Sequence, residues 1–250
     1  MHTGSAPSAS KQCLVACCAL ALTSACQTRP SVTADLPLLT KYVFRGAVLN
    51  DRPVLQPDLF LTFADERQSM TVGVFGNLET SGEHDRRGEF TEIDYTLDYG
   101  RSTGPLDWTI GVAHYEYPRM HLAGSSESYV IVSYRDVLIT PSLEWWHDFD
   151  EVDGSYLNFQ LSHSFGLGED WSLDVMAGAG FMDANQAAYY FGVDRSGLSD
   201  ALAQCVLARH LGATTLSLGL AYTSVLDPDL RDGASDPDNV IGTLAINFGY

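Results

Sequence analysis

The chain has 250 residues, a formal net charge of −18 and a mean hydropathy close to zero. That length accommodates one large β domain or two small ones, and no apolar run reaches the ~20 residues a membrane helix needs, so any crossing of a bilayer has to be made by strands. The acidic excess argues against nucleic acid and anionic lipid as partners, since both would be repelled.

Taken in order, Lys11 precedes an apolar run from Cys13 to Leu22, and the small residues Thr23, Ser24 and Ala25 then lead to Cys26, which reads as an export signal over residues 1–25. Thr-Ser-Ala-Cys resembles a lipobox, with Thr23 where that motif prefers leucine, and cleavage there would make Cys26 the lipidated first residue. Val32-Thr33-Ala34 offers an ordinary cleavage site instead. Under either cleavage Cys13, Cys17 and Cys18 leave with the signal. Of five cysteines only Cys205, with or without Cys26, then remains. This excludes a disulfide scaffold and a zinc site with four cysteine ligands, and no metal or cofactor is expected.

After a short segment over residues 26–35, turn-rich and strand-like stretches alternate to the end of the chain, and residues 36–250 are expected to form one all-β domain. About twelve strands are predicted. The first six run near Leu36 to Gly46, Val54 to Ala64, Gln68 to Leu78, Phe90 to Gly100, Leu106 to Tyr117 and Ser128 to Arg135. The others run near Leu138 to Phe149, Ser155 to Phe165, Trp171 to Met182, Ala201 to His210, Thr214 to Val225 and Asn239 to Tyr250. Short connections, as at Asp65 to Arg67 and Leu211 to Ala213, take turns with long ones, as at Glu79 to Glu89, Asp183 to Asp200 and Leu226 to Asp238. An antiparallel transmembrane β-barrel with short periplasmic turns and longer extracellular loops requires this sorting; a soluble sandwich does not.

The faces agree. Ile93, Tyr95, Leu97 and Tyr99 share one side of their strand while Glu92, Asp94, Thr96 and Asp98 share the other. Polar groups at every second position would each cost ~1–3 kcal/mol in a dry core if left unpaired, so that face is wet. Two aromatic girdles are expected at the lipid headgroups: Trp108, Phe165, Trp171 and Tyr250 on the short-turn side, and Trp145, Tyr156, Phe181 and Tyr222 on the long-loop side. The last strand sets Leu244, Ile246, Phe248 and Tyr250 against Thr243, Ala245, Asn247 and Gly249, and it ends on the aromatic residue. Phe248 and Tyr250 are therefore expected to be read as an insertion signal by a barrel-assembly machinery in the bacterial outer membrane.

The segments KYVFRG (Lys41 to Gly46), RPVLQPDL (Arg52 to Leu59), FTEIDYTLDYG (Phe90 to Gly100), ITPSLEWWHDFDEVDGSY (Ile139 to Tyr156) and LSHSFGL (Leu161 to Leu167) resemble the TorF-type porin family of Gram-negative outer-membrane barrels, whose function is largely unestablished. The similarity runs in order over nearly the whole mature chain. It implies an outer-membrane barrel surrounded by lipid, points to a pore for small ions or solutes, and brings no catalytic residues with it.

The inward faces are expected to carry Lys41 and Arg45 on the first strand, Asp58 on the second, Glu92, Asp94 and Asp98 on the fourth, Glu144 on the seventh and Asp174 on the ninth. Such side chains in a water-filled lumen favour ions of one sign, here cations. Alternatively, Lys41 and Arg45 pair with Glu92, Asp94 and Asp98 and brace a narrow, closed barrel. The carboxylates Asp227, Asp229, Asp232, Asp236 and Asp238 crowd one loop without the spacing of a calcium motif, and read as a solvated acidic loop. His163 stands between Ser162 and Ser164, but neighbours in a strand point to opposite faces, so no nucleophile and base are brought together and no enzyme is expected. The reading that results is a porin-like channel for passive, cation-preferring diffusion of small solutes. The alternatives are a closed barrel whose acidic loops bind a ligand or partner protein, and a barrel hydrolase.

Overall fold

The computed structural model describes residues 30–82 and 86–250; the signal over residues 1–25 and Cys26 lie outside them. The strands are β1 (Ser31–Leu39), β2 (Tyr42–Phe44), β3 (Ala47–Asn50), β4 (Val54–Leu55), β5 (Asp58–Ala64), β6 (Gln68–Glu79), β7 (Phe90–Thr103) and β8 (Leu106–Glu116). They continue as β9 (Ser125–Tyr134), β10 (Thr140–Asp148), β11 (Gly154–Gly166), β12 (Trp171–Met182), β13 (Gly197–Leu211), β14 (Thr214–Val225) and β15 (Asp238–Gly249). Two short helices, α1 (Ala184–Phe191) and α2 (Pro228–Gly233), lie in the last two long loops.

Every neighbouring pair in the ring is antiparallel, and β15 pairs with β1, so the sheet has no free edge. β4 and β5 pair with β1 and β6 in one continuous register. They form a single stave interrupted at Gln56-Pro57, where proline has no N–H to give the ladder. The ring therefore has twelve staves. Closure runs to the end of the chain: Val32 and Tyr250 exchange backbone hydrogen bonds, each of 2.9 Å.

Alternation sorts the side chains. Leu218, Leu244, Phe159 and Ile110 stand exposed on the outer face, where lipid covers them, while Gly219, Thr243, Gln160 and Gly111 occupy the adjacent inward positions. Trp145, Phe181 and Tyr222 reach the outer surface near the long loops, and Phe165, Trp171 and Tyr250 near the short turns. Tyr156 does not belong with them. It is 5% exposed, because its parity is that of Asn158 and Gln160 and turns its ring into the lumen over Gly180, whose missing Cβ makes room for it.

The first predicted strand is corrected. It begins at Ser31 rather than Leu36 and stops at Leu39; Lys41 and Arg45 lie on no stave. The chain instead turns inward as the β2–β3 hairpin, whose two turn residues Arg45 (φ 49°) and Gly46 (φ 83°) are both left-handed. This is the type I′ turn that matches strand twist. The two helices were also unforeseen. Asp183 caps α1 by accepting from the Gln186 N–H, and left-handed Gly192 ends it. The hairpin and both helices pack inside the extracellular half of the barrel. There Ala47, Tyr156, Met182, Ala187, Phe191, Val225 and Leu230 form a buried apolar core. Each large member of that core contributes about 1.5–3 kcal/mol by leaving water.

Candidate functional site

The site is the constriction made where the hairpin meets the opposite wall. In the ring of staves β10 lies diametrically across from β1, and Arg45 is carried to that side. Its Nη1 and Nη2 donate to Oε1 and Oε2 of Glu127 on β9, at 2.7 and 2.8 Å. Its Cζ lies 5.7 Å from the Trp146 ring of β10 and 4.6 Å from the Tyr156 ring of β11. Both side chains of the ion pair are almost dry, 5% and 3% exposed. A bidentate guanidinium–carboxylate pair is strong and directional, and once dehydrated neither member can be removed without leaving a buried, unpaired charge.

Neighbours complete the coordination. Tyr115 Oη donates to Glu127 Oε2 at 2.8 Å, and Arg45 donates to Gln186 Oε1 of α1 at 3.3 Å, so the helix and the hairpin hold each other. Gly46 backs the turn: a Cβ there would stand 2.9 Å from the Cβ of Asp200, in addition to its positive φ. The turn tip is thus wedged between β9 and β13.

Glu92, Asp94 and Asp98 occupy successive and near-successive inward positions of β7. Asp58 is paired in register with Asp35, which accepts from Asn247 Nδ2 at 2.5 Å. Glu144 accepts from Asn158 and Asp174 from Ser172. Among the described residues no Lys or Arg stands at an inward position of a stave. The expected brace from Lys41 and Arg45 to Glu92, Asp94 and Asp98 is corrected. Arg45 takes Glu127, and Lys41, at the rim, donates to Asp236 and Asn239 at 3.1 and 2.6 Å. Sequence reasoning missed Glu127, Asp148, Asp200 and Gln186. Asp148 shares the inward parity of Glu144 on β10, and that parity was the available signal; Glu127 and Asp200 lie just before the predicted starts of their strands at Ser128 and Ala201.

Beside the hairpin, toward β6–β9, lies a cavity of about 770 Å³ that opens outward between the loops. Tyr42, Tyr115, Tyr117, Tyr189 and Tyr190 line it together with Glu79 and Glu92. Burial, reinforced by the nearby Glu92 carboxyl, pushes the Tyr117 hydroxyl up, and burial does the same for Tyr190, so both remain neutral donors across the working pH range. Along the same wall Gln56 donates to Asn77 and Asn77 to Thr91, at 3.0 and 2.9 Å.

A family model described as MltA-interacting protein MipA matches residues 51–230. The chain belongs to the MipA family. A comparison with curated protein sequences found no match. Among solved structures, the chain is similar to an outer membrane channel from Pseudomonas putida, with a TM-score of 0.56 at 9% identity over 89% of this chain and 96% of that one. It is similar to the NanC porin, with a TM-score of 0.55 at 8% identity over 86% and 98%. It is also similar to LpxR from Salmonella typhimurium, with a TM-score of 0.53 at 10% identity over 87% and 99%. At such identities the likeness is one of fold. This MipA-family chain is a bacterial outer-membrane β-barrel of porin-like architecture, and the resemblance to TorF-type porins agrees at that level.

Elsewhere in this MipA-family barrel, Ser162 and Ser164 point inward and His163 outward against Phe165, with ring centroids 4.3 Å apart. The acidic loop is locally paired: Asp227 caps α2, Arg195 bonds Asp227 and Asp229, and Arg231 bonds Asp238. No group of three metal-ligating side chains occurs among the described residues.

Proposed function

We propose that this barrel is a porin-like channel for passive diffusion of small solutes, that it prefers cations, and that the β2–β3 hairpin sets its constriction. The observation that carries the reading is the charge of the wall. Its inward stave positions hold carboxylates without a Lys or Arg among the described residues, and the one guanidinium brought across the lumen is neutralised by Glu127. A field of one sign along a narrow water path favours counter-ions. Single-channel recording of the refolded protein in a planar bilayer under a salt gradient tests it. Discrete steps with a cation-selective reversal potential are expected, and Asp94→Asn with Asp98→Asn should move that potential toward zero; a reversal potential unmoved by the double change counts against the reading.

A second reading is supported by the elements packed inside the extracellular half and by the family's description. A barrel plugged by a hairpin and two helices can serve as a membrane anchor for a partner such as MltA, or bind a ligand through its acidic loops. A folded, heat-modifiable barrel that gives no current steps would favour it. Hydrolysis stands below both, since His163 faces away from its neighbouring serines.

We further propose that processing occurs before Cys26, with lipidation there. Cleavage after Ala34 would strip β1 of Ser31 to Ala34, which pair with Thr62 to Leu59 of β5. Mass spectrometry of the mature N-terminus should show a lipid-modified Cys26, and a chain starting at Asp35 would refute this. Phe248 and Tyr250, outward on the closing strand, are proposed as the signal read by the barrel-assembly machinery. Removing Phe248 to Tyr250 should deplete assembled barrel from outer-membrane fractions, and undiminished assembly would dismiss the signal.

A further inference from the structure

We propose that the cavity between the β2–β3 hairpin and the β6–β9 wall is a binding site for an organic ammonium cation with an apolar body. Its volume of about 770 Å³ suits a small organic ligand, and it opens to the outside. Tyr42, Tyr117, Tyr189 and Tyr190 line it, together with the carboxylates of Glu79 and Glu92 and a single guanidinium, Arg86. Ring faces attract cations, and more strongly where water is excluded.

An independent observation points to a missing partner. Glu79 is 3% exposed, its Oε1 lies 3.5 Å from Arg86, and its Oε2 has no hydrogen-bond partner among the described residues. A carboxylate oxygen buried without a donor is costly, and an entering ammonium group would relieve that cost. The aromatic walls favour an organic cation over a hydrated metal ion, and no described cluster converges as metal ligands. An anion would meet carboxylates. A neutral guest would bring no charge to match the carboxylates of Glu79 and Glu92, which outnumber Arg86, the one Lys or Arg among the lining residues.

The site deepens the cation-preferring reading and rests on its acidic lumen, but binding is measured without a current. Refolded full-length protein in nonionic detergent is titrated calorimetrically with benzylammonium, and with benzyl alcohol as the neutral counterpart. One saturable site for the ammonium compound is expected, weakened at least tenfold by Glu92→Gln and by Tyr117→Leu and unaffected by Asp232→Asn on the outer loop. Glu79→Gln serves in place of Glu92→Gln if the latter fails to give a heat-modifiable barrel. Absence of binding, equal binding of benzyl alcohol, or indifference to both carboxylate changes would overturn the site. Binding by a barrel that gives no current steps would uphold the site while the channel reading falls, and current without binding would do the reverse.

Discussion

Arg45→Ala is expected to release the β2–β3 hairpin from the far wall and to raise single-channel conductance, with the barrel still heat-modifiable. The substitution leaves Glu127, 3% exposed, as a buried charge without its cation. Breaking such a pair costs about 3–5 kcal/mol, which at about 1.4 kcal/mol per tenfold lowers the docked-to-undocked ratio by about two to three and a half orders of magnitude. The stave ladders are untouched, so the loss falls on the hairpin rather than on the barrel. Two companion variants separate charge from backbone. Adding Glu127→Gln to Arg45→Ala should recover part of the docking, because no bare charge remains. Arg45→Gly should disturb the turn less than Arg45→Ala, since glycine adopts φ 49° without strain. Conductance identical to that of the parent protein in all three would show that the hairpin does not set the constriction.

Phe191→Ala should loosen the second half of the plug. Phe191 is 5% exposed and packs in the core with Met182, Ala187 and Leu230. Truncating a buried phenylalanine costs about 3–5 kcal/mol. The loss again falls on a loop element, here α1, because β12 and β13 keep their ladder on either side. Arg195, exposed and just beyond the helix, reports on it: trypsin should cut after Arg195 many times faster in the variant, with the rest of the barrel resisting. An unchanged cleavage rate would mean that α1 is held by its caps and by Gln186 alone. Because Gln186 also receives the Arg45 guanidinium, a modest gain in conductance should accompany the faster cleavage.

The barrel itself was legible in the sequence because its determinants are local and periodic. Leu216, Leu218, Leu220 and Tyr222 against Ser217, Gly219, Ala221 and Thr223 specify which face meets lipid, whatever their neighbours are. The alternation of short and long connections specifies the antiparallel order, and the aromatic end of β15 agrees with the closing strand. By the same parity Glu92, Asp94, Asp98, Glu144 and Asp174 fall on the inward side.

What only the tertiary structure decided lies inside the barrel. KYVFRG continues the strand-like stretch from Leu36, and its composition does not say that the chain leaves the wall after Leu39; that depends on Arg45 finding Glu127 across the lumen, 82 residues away in sequence. The short helices carry weak periodicity and are held by packing against Tyr156, Val225 and Met182, residues remote from them or on neighbouring staves. Tyr156 shows the same limit from the other side, for an aromatic ring at a strand end suits a headgroup girdle and a lumen wall equally until the register assigns its parity. A period written into consecutive residues can be read from them, whereas a contact between distant segments exists only once closure of the ring brings them together.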